Sequence, residues 1–292
     1  MNSCTVVIPA FNPDPDALNT SLARLLLAPW AKRIIIVDDG SDPPLNDQTG
    51  PLAAARVEVI RQDNAGVSAA RNTGIDYALR HDEPVLFLDA DDEIRDGAPH
   101  AIDLLREHRA SAVVSAREER APSGEVTTKP VPAEWTGKTL PHPGDVFRPI
   151  ALFGASGVVA SRAILDAGLR FDTALSHGED RDFLRRAAEV GGIVVNPHPA
   201  LMVRLHERAA NNLTSAAHDV RRAHALATLV ERWCDDTSEP HFRASARWLL
   251  NRVAKRGSHN DAWRTLIELH RSRGWQVSWK ACVRRLFTPG VS

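Results

Sequence analysis

Cysteine is scarce in this chain: Cys4, Cys234 and Cys282 are its only three, scattered and odd in number. That excludes a disulfide framework and a closely spaced thiolate metal site, and a reducing cytoplasm is the expected compartment. Long apolar runs are also missing, none approaching the roughly 20 residues of a membrane span. The opening "MNSCTVVIPAFNP" has neither the basic start nor the extended apolar segment of a signal peptide, so no integral membrane anchor is expected. An excess of either charge is lacking too, the formal net charge being -1. That balance conceals an asymmetry: from residue 216 onward there are 14 Lys and Arg against 7 Asp and Glu, and the preceding stretch has 22 against 30. The C-terminal region is a basic module on a mildly acidic body.

Enough apolar residues are present, 43% of 292, to bury a sizeable core. The first hundred residues alternate β-branched runs with helical periods. "TVVIPAF" (5–11), "RIIIVDDGS" (33–41), "RVEVIRQ" (56–62) and "PVLFLDAD" (84–91) read as strands, and "PDALNTSLARLLLA" and "GVSAARNTGIDYALR" as helices. This pattern predicts an α/β fold with a mostly parallel sheet and helices on both faces. Residues 121–149 concentrate Pro and Gly without a period and read as a long loop with room for a short hairpin. "SGVVASRAILDAGLRF" returns to strand and helix, "GEDRDFLRRAAEVG" is helical and "GIVVNPHPALMVRLHE" is extended. From about 216 the texture becomes helical and rich in Ala, Arg and Trp. The expected organisation is a domain over 1–215 and a basic helical appendage over 216–292.

Two strands end in carboxylates. In an open parallel sheet ligands bind at the carboxyl ends of the strands, where Asp38 and Asp39 precede a Gly-Ser turn. A carboxylate there can accept the N–H of a base or a ribose hydroxyl, although an Asx turn explains either aspartate taken alone. "FLDADDE" repeats the arrangement. Strand alternation would put Asp89 and Asp91 on one side, facing a hard cation or a ribose. Unpaired charge at the end of a buried strand is costly, and a divalent ion with a nucleotide would neutralise it.

Taken together and in order, "VVIPAFNP", "IIIVDDGSD", "NAGVSAARNTGIDYA", "FLDADDE" and "GEDRDFLRRA" resemble the family 2 glycosyltransferases of GT-A fold over residues 4–215. The resemblance implies an inverting transfer of sugar from a nucleotide diphosphate donor, UDP-linked, to a hydroxyl of a glycan or glycolipid, with Mn²⁺ or Mg²⁺. It also implies roles. Pro9, Phe11 and Asp39 would line the nucleobase pocket, with Asp38 shaping the turn. Gly66 and Arg71 would border the nucleotide, Asp89 would hold the ribose and Asp91 the metal, with Asp92 as an alternative ligand. Asp180 of the Glu179-Asp180 pair would be the general base that takes the acceptor proton. A helix start enriched in acid by the macrodipole is the bland account of that pair. His206 would complete the metal shell, an imidazole suiting Mn²⁺ better than Mg²⁺, and Arg204 would pair with the diphosphate. Arg181 replaces the aromatic residue often found after the acidic pair.

His142, His177 and His198 have no partner at ligand spacing and read as loop histidines, and Cys4 reads as buried and inert. In the tail, "WKACVRRLF" sets Trp279, Val283 and Phe287 near one face beside Lys280, Arg284 and Arg285, which suits either packing or peripheral contact with an anionic membrane. Nucleic acid is not an expected partner, since the basic residues interleave with core-like positions. Two other classes remain: a non-catalytic sugar-nucleotide binder on the same fold, and a phosphotransferase of the haloacid dehalogenase type. The second shares a strand ending in Asp-x-Asp but leaves "IIIVDDGS" and "GEDRDF" without a role.

Overall fold

The structure is a computed structural model, and it describes residues 3–45, 55–140 and 154–205 together with Leu229. The chain divides into two compact units, Met1–Leu175 with Glu179–Glu207, and Arg208–Ser292 with Ser176–Gly178. The expected boundary at 215, the helical appendage, His142, His206 and the basic face of Trp279 to Phe287 lie outside the described residues.

Strand β1 (Cys4–Ala10) leads into helix α1 (Pro15–Leu27), whose first turn is capped by the Asp14 carboxylate accepting from the Asp16 N–H at 3.0 Å. Strands β2 (Ala31–Asp38) and β3 (Val57–Arg61), helix α2 (Val67–Ala78) and strand β4 (Val85–Phe87) follow. Beyond them come β5 (Glu93–Ile94), α3 (Ala98–Glu107), β6 (Ala112–Arg120), β7 (Val126–Lys129) and β8 (Thr139–Leu140). The series ends with β9 (Val159–Ala160), α4 (Arg162–Asp166), α5 (Glu179–Gly191) and β10 (Ile193–Arg204).

One sheet carries the order β3-β2-β1-β4-β9-β6-β10-β5, with β7 on β6 and β8 on β10. Pairings β3-β2, β2-β1, β1-β4 and β6-β10 are parallel, and β9 runs antiparallel to both β4 and β6. The six long or central strands therefore point the same way, interrupted by two residues of β9. Both faces are covered, as a parallel sheet requires. Val6, Ile8, Ile34, Ile36 and Leu86 pack with α1 and α3 residues such as Leu22, Leu25, Ile102 and Leu105. Their neighbours Val7, Ile35, Val37, Val85 and Phe87 pack on the opposite face with Ile75 of α2 and Phe183 and Leu184 of α5. This is the period-two alternation of a strand, so a one-residue slip would exchange the two cores.

Two features differ from the sequence expectation. The fourth strand stops at Phe87, and the chain turns back at once, the Asp92 N–H donating to the Asp89 carbonyl at 3.0 Å. Asp89 and Asp91 are thus neighbours in a turn rather than alternate residues of an extended strand. The turn parts the carboxylates: Asp89 and Asp91 stay partly exposed while Asp92 is buried. His198 lies within β10, in the stretch where the register with β6 shifts, and its ring meets the edge of His100 at 4.8 Å between centroids. Part of the 121–149 stretch forms the hairpin of β6 with β7.

Helix α2 approaches β1 closely, and Gly74 makes this possible: a Cβ there would overlap Val7 Cγ1 in the core. Replacing glycine by alanine inside a helix ordinarily stabilises by about 1 kcal/mol, whereas forcing a methyl into a packed core costs about 1–3 kcal/mol. Here the second effect is the larger, because Val7 is fully buried. Gly74→Ala is expected to destabilise the fold by up to about 2 kcal/mol net in urea unfolding monitored by circular dichroism.

Candidate functional site

The carboxyl ends of β1, β2 and β4 and the starts of α2 and α5 converge on one edge of the sheet. Pro9 is buried in β1 opposite Val37, and Phe11 follows with 54% of its surface exposed. An aromatic ring so exposed beside a buried strand end is available to a planar ligand. Asn12 ties this loop to the next: its N–H donates to Ser41 Oγ at 2.9 Å, and its side-chain oxygen accepts from the Asp42 N–H at 2.8 Å.

Asp38 and Asp39 do different work. Asp38 is buried and accepts from the Ser41 N–H at 2.8 Å, the Leu45 N–H at 3.2 Å and the Arg61 guanidinium. Burial alone would raise its pKa, but the hydrogen bonds from Ser41, Leu45 and Arg61 prevail and hold it below the ordinary carboxylate value. Asp39 reaches across to the loop before α2. One of its oxygens accepts from Gln62 Nε2 and the Ala65 N–H, and the other from the Gly66 N–H, all at 2.8 Å. Thr73 of α2 in turn donates to Gln62 Oε1 at 2.6 Å, which fixes the orientation of that amide. Gly66 adopts φ +90° as it opens the helix, with open space where a side chain would stand. A carboxylate offers about four acceptor positions, of which Asp39 uses three to hold its loop.

Arg71 joins the two acidic segments. It is 4% exposed, donates to Asp89 Oδ1 at 2.9 Å and to Glu179 Oε1 at 3.1 Å, and lies over the Phe171 ring at 5.2 Å from the centroid. Burial opposes its charge, but Asp89 and Glu179 keep it firmly cationic. Phe171 is itself held by Asn72, which exchanges two hydrogen bonds with its backbone at 2.8 and 2.9 Å. The Phe171 ring stacks on Phe183 of α5 at 4.2 Å, and both meet Phe87 of β4 edge-on at 5.1 and 5.8 Å. The start of α5 is thereby positioned against the end of β4.

At that start Asp180 is half-buried, and its Oδ1 accepts from the Arg181 N–H at 2.8 Å. Burial and then the charge of Glu179 push its carboxyl up to about 6, against the opposing influence of Arg181 and Arg71. Glycine at 154 keeps one side of the carboxylate clear, since even a methyl there would touch Oδ2 at 3.8 Å. Asp182, one turn in, is bound by Arg186 at 2.6 Å and is structural.

The "FLDADDE" turn is electrostatically crowded. Asp92 is 4% exposed, and burial, then repulsion from Asp89 and Asp91, raise it well above the ordinary carboxylate value. Ser156 opposes this by donating to Asp92 Oδ2 at 2.6 Å while its own oxygen accepts the Asp89 N–H at 3.1 Å. Among the described residues no group of three His, Cys, Asp or Glu converges on one point. The chemistry present is therefore one or two hard oxygen donors, Asp91 and the partly exposed Asp89, beside a carboxylate driven to keep its proton. Such a donor set fits Mg²⁺ or Mn²⁺ held with open positions, not a closed protein cage. Glu93, next in sequence, faces away into a group of arginines that includes Arg204 at 3.8 Å, so Arg204 is engaged there. Within Ser176–Gly178, His177 Nδ1 pairs with Ser176 Oγ at 3.2 Å.

The family model described as Glycosyl transferase family 2 matches residues 5–160. Succinoglycan biosynthesis protein ExoW of Rhizobium meliloti is 38% identical over 96 residues, which are 32% of this chain and 30% of that protein. The Pre-mycofactocin glycosyltransferase of Mycobacterium tuberculosis is 32% identical over 206 residues, 64% of this chain and 39% of the relative. The matches thus span well under half the length of these relatives. The crystal structure of S. aureus TarS superposes with a TM-score of 0.61 at 18% identity, covering 86% of this chain and 43% of that one. That likeness establishes the GT-A fold.

Gln62, Asn72, Ser156, Phe171 and Gly154 were not expected as parts of the site. Asn72 and Thr73 lie inside a motif already singled out, but their partners are 99 and 11 residues away, and no local pattern announces them. Asp38 generates a stability prediction. Asp38→Ala strands two buried backbone donors, and each stranded donor costs about 1–3 kcal/mol, so a loss of about 2–6 kcal/mol is expected in urea unfolding at pH 7. Because the native pKa of Asp38 is depressed, its contribution is present above the ordinary value of 3.8 and vanishes as pH falls through the native value. The gap between wild type and variant should therefore close in acid.

Proposed function

Since the chain belongs to glycosyl transferase family 2, we propose that it is an inverting glycosyltransferase, moving a sugar from a UDP-linked donor to an acceptor hydroxyl. The observation that carries this reading is Asp180, a half-buried carboxylate with pKa about 6, linked through Glu179, Arg71 and Asp89 to the acidic turn. A group titrating there is mostly ionised at neutral pH yet basic enough to take a hydroxyl proton during attack. Nearby Glu179 is occupied by Arg71 and so is not free to compete for that role.

In this reading Phe11 presents its exposed face to the base, and the remaining acceptor position of Asp39 receives a base N–H. Pro9 and Gly66 border the nucleotide. Asp89, oriented by Arg71, accepts from the ribose. The family is generally divalent-metal dependent, and Asp91 would hold the ion, with Asp92 as the alternative. Bound there, Mn²⁺ or Mg²⁺ would stabilise the charge that develops on the departing diphosphate. His206 as a further ligand is a secondary element of the proposal, whereas Arg204, drawn to Glu93, is assigned away from the diphosphate. A glycan or glycolipid acceptor is supported by the succinoglycan biosynthesis protein among the relatives. The catalytic domain would be 1–215, with the basic region from 216 serving the acceptor side or an anionic membrane surface. No helix among the described residues is long and apolar enough to cross a membrane.

Asp180→Asn is expected to lower kcat about 100- to 10,000-fold while UDP affinity stays within about twofold. In the wild type kcat should rise with pH through an apparent pKa near 6, since the ionised form is the active one. Retention of transfer by the variant would remove Asp180 from the role. UDP binding measured calorimetrically should depend on Mn²⁺ and weaken by about tenfold or more in Asp91→Ala. Metal-independent binding in both proteins would count against the assignment of Asp91.

A further inference from the structure

Outside the site just described, the most unusual group of side chains surrounds Glu93. Its carboxylate is only 2% exposed and meets four guanidinium groups. Arg24 Nε lies 3.0 Å from Oε2, Arg95 Nη1 3.2 Å from Oε2, Arg120 Nη1 3.0 Å from Oε1 and Arg204 Nη2 3.8 Å from Oε1. They come from four elements or their edges: α1, the residue after β5, and the ends of β6 and β10, where Arg120 and Arg204 are register partners. Glu118 neutralises Arg95 at 2.9 Å. Among the described residues one carboxylate is thus left to balance Arg24, Arg120 and Arg204.

That imbalance is larger than burial of Glu93 requires. One guanidinium satisfies a carboxylate bidentately, and further cations crowd one another at a cost that grows as water is excluded. Arg24, Arg120 and Arg204 keep 48%, 35% and 28% of their side chains exposed, so each guanidinium that meets Glu93 is also open in part to solvent. Arg204 Nε, by contrast, is buried and has no hydrogen-bond partner among the described residues. An unpaired donor of this kind is rare in folded proteins and marks a place where a missing partner fits.

We propose that Arg24, Arg120 and Arg204, preset around Glu93, form a subsite for a phosphate-type oxyanion. Planar guanidinium groups match the tetrahedral oxygens of phosphate in paired hydrogen bonds. A dianion would restore the charge balance that Glu93 alone does not. The subsite adjoins the acidic turn, because Glu93 directly follows Asp92 and pairs with Met202 of β10, two residues before Arg204. If the proposed transfer reaction holds, the occupant is a phosphate carried by the acceptor, so the preferred acceptor would be anionic. Binding of the oxyanion itself does not depend on that reading.

The test is calorimetric titration of inorganic phosphate into the full chain at low ionic strength, with and without saturating UDP and Mn²⁺. Saturable phosphate binding is expected, insensitive to UDP. It should weaken about tenfold in Arg24→Gln, whose site is on an exposed helix face, and further in Arg24→Gln/Arg120→Gln. Thermal unfolding verifies that each variant is folded, and the single variant stands as the test if the double one is not. Three results would overturn the proposal: no saturable binding by the wild type, unchanged binding in a folded variant, or displacement of phosphate by UDP, which would place the anion on the diphosphate path. Loss of UDP binding or of transfer, with phosphate binding intact, would instead count against the glycosyltransferase reading.

Discussion

The site depends on one buried cation. Arg71 connects the turn after β4 to the start of α5 by charge, and it can bridge them because Phe171 supports its plane and Asn72 fixes Phe171. A buried guanidinium is costly unless paired, and a buried carboxylate likewise. Removing any one member of the group would leave another charge uncompensated. The same cation lowers the pKa of Asp180, whose burial and acidic neighbour push it upward. The basicity of the proposed base is therefore moderated in part by a residue that need not touch the reacting atoms.

Where residues act through their own backbone segment, the sequence was a sound guide. The strands β1, β2 and β3 and the helices α1 and α2 follow from β-branched runs and capping residues, and Asp38 and Asp39 were legible as a strand end before a glycine turn. The acidic pair at the start of α5 was visible for the same reason. The motifs gave the fold family, which the superposition on a solved GT-A structure bears out. What escaped was mostly pairing at long range. Nothing in "GASG" indicates that Ser156 will bind Asp92 across 64 residues, and nothing in "GLRF" indicates that Phe171 will carry Arg71. The extended reading of "FLDADD" failed for a related reason: strand periodicity was continued past the point at which mutual repulsion of carboxylates favours a turn.

The two carboxylate pairs illustrate how environment separates residues of identical type. Asp38 receives three donors and stays ionised, locked into the turn. Asp92 is buried with one hydroxyl donor against two neighbouring aspartates, and its pKa is raised. Geometry alone would group these residues as an acidic edge, but the partners divide them into a structural anchor and a reservoir of unfavourable charge. Glu93, one residue beyond Asp92, escapes the same fate by turning into arginines.

The grip of Asp39 on Ala65 and Gly66 has a thermodynamic side. Freezing a backbone residue costs about 1–2 kcal/mol of conformational entropy, and in most loop-lined pockets part of that cost falls on the binding event. Here the free protein has already ordered the segment that would border a base, using the same carboxylate that would recognise it. Affinity for a ligand at this edge would then be governed by the contacts it makes and the water it displaces, with the segment acting as a rigid template instead of adapting to each ligand.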